Sequence, residues 1–96
     1  MSDPSPSASF VAASFHVLAD TCPGLLPRLL QPLAKRDLVA DDFRARRDGD
    51  DTVVEMALHA IPAEMVHLVA GNLDQVVGVR EVRVVRHAPE LLRRAA

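Results

Sequence analysis

The distribution of apolar and polar positions along the chain alternates between two periods. From Val11 to Ala19, the residues Val11, Ala13, Phe15 and Val17 fall on one side at period two, with Ser14 and His16 between them. That pattern predicts a strand. Asp20-Thr21-Cys22-Pro23-Gly24 is a turn cluster. The period then changes. Between Leu25 and Arg36, the residues Leu26, Leu29, Leu30 and Leu33 recur at i, i+3, i+4 and i+7, which predicts one buried helix stripe. Arg28, Gln31 and Lys35 lie opposite it. Pro27 suits the first turn, where an N–H is not needed. Pro32 removes an interior hydrogen bond and predicts a bend or a late start.

Beyond Asp37 and Leu38 the period returns to two. Val39 to Arg47 reads as a strand, Asp48-Gly49-Asp50-Asp51 as a hairpin turn, and Thr52 to Ala60 as the returning strand. Val54, Met56 and Leu58 alternate with Glu55 and His59, so one face is buried and the other is wet. Pro62 to about Val76 is a second predicted helix with Val66, Val69, Leu73 and Val76 as its stripe, ended by Gly78. Val79 to His87 closes the pattern as a strand with Val82 and Val84 inward and Glu81, Arg83 and Arg86 outward.

The predicted order is β-α-β-β-α-β. Two split βαβ units joined by a hairpin make an α+β ferredoxin-like sandwich, a four-stranded antiparallel sheet with both helices on one face. Residues 10–87 form this domain. Residues 1–9, with Pro4, Pro6 and four serines, read as a flexible arm, and residues 88–96 as a short basic tail.

Composition narrows the function. The chain has 96 residues, room for one domain, and carries 11 basic and 13 acidic side chains for a net charge of −2. A generic nucleic-acid binder shows a basic excess, so no nucleic acid is expected as partner. The single Cys22 excludes an intrachain disulfide and any CxxC metal site. No apolar run approaches the roughly 18–20 residues that span a bilayer, and no basic-then-apolar leader is visible. A cytoplasmic protein without membrane contact is expected. A domain of this size buries only about 60–70 % of its unfolded surface, which makes association with a second copy or another protein the default.

The sites that this fold uses elsewhere can be tested one by one. A two-thiolate metal carrier needs a second cysteine in the first loop. An RNA-recognition face needs central aromatics, yet Ser14, His16, Glu55, Ala57 and His59 occupy the open face, and the only aromatics are Phe10, Phe15 and Phe43. A phosphate-cradling loop needs a cation where Asp20 stands. His16, His59 and Glu55 are the nearest approach to a metal set, and a solvated face explains them as well. Asp41, Asp42, Arg44, Arg46 and Arg47 read as the mixed charge that protects an edge strand. Cys22 has no base near it in sequence. No catalytic constellation, metal site or cofactor site is expected.

What remains is the first loop. Asp20-x-x-Pro23-Gly24-Leu25 leading into a leucine-rich helix resembles the ACT domain, a small regulatory module of amino-acid metabolism. Leu33-Ala34-Lys35-Arg36-Asp37-Leu38 and Asn72-Leu73-x-x-Val76-x-Gly78-Val79-x-x-Val82 carry the resemblance further, and together the stretches cover Phe15 to Val85. The last two stretches are also similar to the small regulatory subunit of acetolactate synthase. Asp37 stands where the family commonly has a turn glycine, and Pro32 within the first helix departs from its pattern.

The resemblance implies a ligand site at Asp20, Pro23, Gly24 and Leu25, where an amino acid binds between two paired domains and a partner enzyme reads the pairing. Gly24 admits close backbone approach, the helix start suits a carboxylate, and Asp20 suits an ammonium group. Asp20 is equally well explained as a turn or cap residue. A homodimer is the expected assembly. The alternative is a regulatory subunit that senses nothing and stabilises a catalytic chain such as acetolactate synthase.

Overall fold

The computed structural model describes residues 9–87. Residues 1–8 of the expected arm and all of the expected tail lie outside the described residues. Ser9 is held rather than loose, since its carbonyl accepts a hydrogen bond from Ala63 N–H at 3.1 Å.

Seven elements follow in order. They are β1 (Phe10–Asp20), α1 (Leu25–Ala34), β2 (Asp42–Asp48), β3 (Asp51–Pro62), a 3₁₀ turn (Ala63–Met65), α2 (Val66–Asp74) and β4 (Val79–His87). The strands form one sheet in the order β2-β3-β1-β4, with every neighbouring pair antiparallel. This is the ferredoxin-like sandwich that the sequence pattern predicts.

The period-two pattern sets the two faces. Ala13, Phe15, Val17 and Ala19 of β1 and Val54, Met56 and Leu58 of β3 are buried, and they share one cluster with Leu25, Leu29, Leu33, Val66, Val69 and Leu73 of the helices. The other face of the two central strands carries Ser14, His16, Leu18, Val53, Glu55 and Ala57, all half-buried. The β2–β3 hairpin pairs Asp48 with Asp51, leaving Gly49-Asp50 as a two-residue loop. Gly49 has φ +65° and Asp50 does not share a positive φ, the sequence of signs in a type II′ turn.

Several boundaries and faces differ from the sequence expectation. Helix α1 buries Leu25, Leu29, Pro32 and Leu33, whereas Leu26 and Leu30 are 37 % and 39 % exposed. The stripe is rotated toward Leu25 because that residue opens the helix directly over the core. Pro32 is accommodated inside the helix, and Pro27 sits in the first turn, where its missing N–H has no intrahelical acceptor to lose.

The helix stops at Ala34, not Arg36. Asp37 adopts φ +56°, Leu38 N–H reaches Leu33 O at 2.9 Å and Asp37 N–H reaches Ala34 O at 3.1 Å. These two bonds make a Schellman end. Asp37 thus holds the left-handed conformation for which the resemblance would place glycine. Strand β2 begins at Asp42 rather than Val39, which is 79 % exposed in the preceding loop. Strand β3 absorbs Ile61 and Pro62, so the second helix begins only after the 3₁₀ turn and ends at Asp74. Gly78 does not end it but sits in the turn before β4, at φ +98°. Val84 lies opposite the buried Phe15 yet remains 37 % exposed, because β4 is an edge strand that the helices cover only in part.

Candidate functional site

The β1–α1 loop leaves the sheet at Asp20. Asp20 N–H bonds to Gly78 O at 2.8 Å and Thr21 N–H to Asp50 O at 2.9 Å, which ties the loop to both neighbouring turns. The hydroxyls of Thr21 and the buried Thr52 are 2.7 Å apart and hydrogen-bonded. Gly78 lies against the loop as well. A Cβ at that position would stand 3.6 Å from Cys22 Sγ and 3.8 Å from Asp20 O.

Gly24 occupies the N-cap position of α1 with φ +78°, and no side chain caps the helix. A left-handed backbone at this point is why glycine is needed. The first turn of α1 contains no acidic residue, so the positive end of its peptide dipoles is unopposed from within the helix. Arg28 Nη2 donates to Pro23 O at 3.1 Å and fixes the loop from the helix side.

A cleft of about 390 Å³ opens here. Thr21, Cys22, Gly24, Leu25 and Leu26 form one wall, and Ala45, Arg46, Arg47 and Thr52 of the β2–β3 hairpin form the other. Arg47 lies opposite buried Thr52 in the register, so it stands on the helix side of the sheet, and its Nε donates to Gly49 O at 3.3 Å. No acidic side chain lines the cleft. Its lining is mostly apolar, with Leu25, Leu26 and Ala45 contributing, and Arg47 brings a cation to it from the helix side of β2.

The structure divides the four predicted site residues. Gly24 and Leu25 line the cleft. Pro23 contributes a carbonyl that Arg28 holds. Asp20 does not line it, and it caps nothing. Its carboxylate pairs with Arg80 Nε at 3.0 Å, and Arg80 also pairs with Asp51. Thr21 and Cys22, which the sequence gives only as members of the turn cluster, line the cleft as well.

Sequence reasoning missed the opposite wall. Arg46 and Arg47 read as edge protection, yet the parity of β2 was available. Phe43, Ala45 and Arg47 alternate, and a cation on the apolar parity of a strand is a signal that the position is not simply solvated. The suggested grouping of His16, Glu55 and His59 separates differently. His16 and Glu55 are directly opposed in the register, while His59 lies four residues further along β3, where its N–H bonds to Asp41 Oδ2 at 2.7 Å. Among the described residues no group of three or more His, Cys, Asp or Glu is arranged to hold a metal ion.

No protein-family model matches this chain, and no curated protein matches it. Solved structures do resemble it. The ACT domain of a GTP pyrophosphokinase from Chlorobium tepidum superposes with a TM-score of 0.70 at 12 % identity, covering 80 % of this chain and 100 % of that one. An uncharacterised protein from Thermotoga maritima gives 0.67 at 12 % identity, over 81 % and 98 % of the two chains. A homoserine dehydrogenase from Thiobacillus denitrificans gives 0.70 at 17 % identity over 84 % of this chain, which spans only 18 % of that enzyme. No described helix is long and apolar enough to cross a membrane. At these identities the likeness establishes the architecture, and the architecture is the one that ACT domains have.

Proposed function

We propose that this domain is a regulatory module that binds a small aliphatic amino acid at the β1–α1 loop, between two copies of the chain, and modulates a partner enzyme of amino-acid metabolism. The observation that carries this reading is the cleft itself. It joins an uncapped helix start at Gly24 and Leu25 to Arg46 and Arg47, with no acid on either wall. The Leu26 N–H at the helix start and the Arg47 guanidinium on the same side of the sheet suit a carboxylate. Leu25, Leu26 and Ala45 suit a short apolar side chain. Asp20 lies one residue before the lining with its carboxylate paired to Arg80, so it positions the loop rather than touching the ligand.

The cleft lies where a second copy would close it. Ala45 and Arg47 stand on the helix side of β2 but are exposed, and Leu26 and Leu30 present a neighbouring apolar strip on α1. Lateral pairing through β2 and α1 would cover both. Ligand bound across that seam favours the paired state by its differential affinity, and the partner enzyme responds to the pairing. The ACT architecture shared with a domain of GTP pyrophosphokinase and with part of homoserine dehydrogenase supports a regulatory rather than catalytic role.

Thermal unfolding against the twenty amino acids, each at millimolar concentration, tests the reading. A ligand at 100 times its dissociation constant stabilises the fold by about 2.7 kcal/mol. In a domain of this length each kcal/mol moves the midpoint by roughly 4–8 °C. A shift with one or two aliphatic amino acids, lost in Arg47→Ala, is the expected result. No shift with any of the twenty contradicts it.

A further inference from the structure

The open face of the sheet has an organisation that a solvated face does not need. The register places its side chains in three cross-strand rows, each read from β2 to β4. They are Arg46–Val53–Leu18–Glu81, Arg44–Glu55–His16–Arg83 and Asp42–Ala57–Ser14–Val85. Four of the six central positions are Val53, Leu18, Ala57 and Ser14, small or apolar, and five of the six outer ones are charged. Small and apolar positions flanking a central Glu55–His16 pair, inside a charged rim, give the mixed anatomy of a protein interface.

We infer that this face packs against the same face of a second copy, about a two-fold axis parallel to the strands and between β1 and β3. The charges choose both the occupant and the axis. Rotation about that axis keeps each row in place and reverses its order. Arg46 of one copy then meets Glu81 of the other, Glu55 meets His16, and Val53 meets Leu18. Each contact occurs twice, as an isologous interface requires.

The one like-charged contact, Arg44 against Arg83, involves two guanidinium groups that already hold acids on their own strands. Arg44 pairs with Asp42 at 3.2 Å and Arg83 with Glu81 at 3.7 Å. An axis across the strands through the middle row would instead stack Arg44, Glu55 and Arg83 each on its own copy, which like-charge repulsion disfavours. Shape agrees with the first axis. A hollow of about 240 Å³ lined by His16, Leu18, Val53, Glu81 and Arg83 lies where that axis brings in the partner's Val53 and Arg46. Two twisted sheets stacked face to face in this way keep their strands within about 30° of each other.

This contact shares Arg46 with the cleft wall but leaves Gly24, Leu25 and Arg47 uncovered, so it can form beside the lateral pairing proposed above. If both form, the assembly is a tetramer. Sedimentation equilibrium of the full chain without ligand, from 1 to several hundred micromolar, tests the inference. Glu81 and Arg46 are exposed, so their substitution leaves the fold intact, which circular dichroism checks. Within one chain they lie on opposite edges of the sheet, so a charge swap between them restores attraction only across copies.

Glu81→Arg should weaken one association step at least tenfold, turning a tetramer into a dimer or a dimer into a monomer. Adding Arg46→Glu should restore the original mass. Equal masses for the natural chain and Glu81→Arg at every concentration overturn the inference and leave the face to an unrelated partner. Failure of the double variant to recover also overturns it.

Discussion

Asp20 and Asp51 stand directly opposite each other at the end of the β1–β3 ladder, and one guanidinium, that of Arg80, reaches both. The register explains how. Between Leu18 and Ala19 the β1–β4 pairing slips, so Glu81 faces Leu18, Val79 faces Ala19, and Arg80 has no partner on β1. A bulge re-aims the extra side chain, here toward two carboxylates that would otherwise repel across the strands.

Arg80→Met removes that bridge and leaves the opposed pair. All three groups are well exposed, so water and salt temper the effect. The expected loss is about 1 kcal/mol in urea unfolding at low ionic strength, shrinking as salt is added. Asp20→Asn in the Arg80→Met background should recover part of it, because one of the two like charges is gone. Equal stability of the natural chain and Arg80→Met at low salt would show that the bridge contributes nothing.

Asp37→Gly should stabilise the domain. Asp37 carries the left-handed conformation at the end of α1, and glycine adopts it without the Cβ conflict. Added freedom in the unfolded chain offsets part of the gain, so the expected net is roughly 0.5 kcal/mol. Chemical denaturation with an unchanged slope measures it. A loss of stability would mean that the aspartate side chain makes a compensating contact there.

Two leucines one turn apart in α1 should behave differently. Leu29→Ala opens a cavity in the middle of the core and should cost about 2–5 kcal/mol. Leu26→Ala removes a side chain at the exposed margin and should cost under about 1 kcal/mol in the isolated fold. Its larger effect should be on lateral pairing, read as a rise in the dimer dissociation constant. Equal destabilisation by the two would contradict the rotation of the buried stripe.

Gly24 and Gly78, like Gly49 in the hairpin, hold a backbone in which a methyl group is conformationally strained, at φ +78° and +98°. Gly78→Ala should destabilise by at least about 1 kcal/mol through backbone strain alone, since its methyl would meet Cys22 Sγ and Asp20 O only at ordinary contact distances of 3.6 and 3.8 Å. Gly24→Ala meets only the movable Arg28 guanidinium at 3.2 Å, so its cost is the backbone strain. It should also weaken amino-acid binding, which differential scanning calorimetry with and without ligand separates from stability alone.

The topology was legible because its signals were local and redundant. Phe15, Val17, Val54 and Met56 alternate too regularly to sit in a helix, and Gly49 between two such runs marks a hairpin. The boundaries were less legible where tertiary contacts decide them. Leu25 becomes core and Leu26 does not because of where the Gly24 turn aims the helix, and leucine spacing alone does not report that angle. The site was half visible. The loop announces itself through Pro23 and Gly24, but the partner of Asp20 is 60 residues away at Arg80, and the bulge that delivers it has no local signature. The opposite wall at Arg46 and Arg47 is joined to the loop through the β1–β3–β2 register and the Thr21 N–H bond to Asp50 O, neither of which has a local signature.

The central claim is that an amino acid binds in the cleft between Gly24 and Arg47. Amide chemical-shift mapping of the isotopically labelled chain, titrated with each aliphatic amino acid, tests it most directly. The account predicts saturable changes concentrated at Thr21, Cys22, Gly24, Leu25 and Arg47, abolished by Arg47→Ala. Changes centred on the open sheet face instead, or none at millimolar ligand, would contradict it.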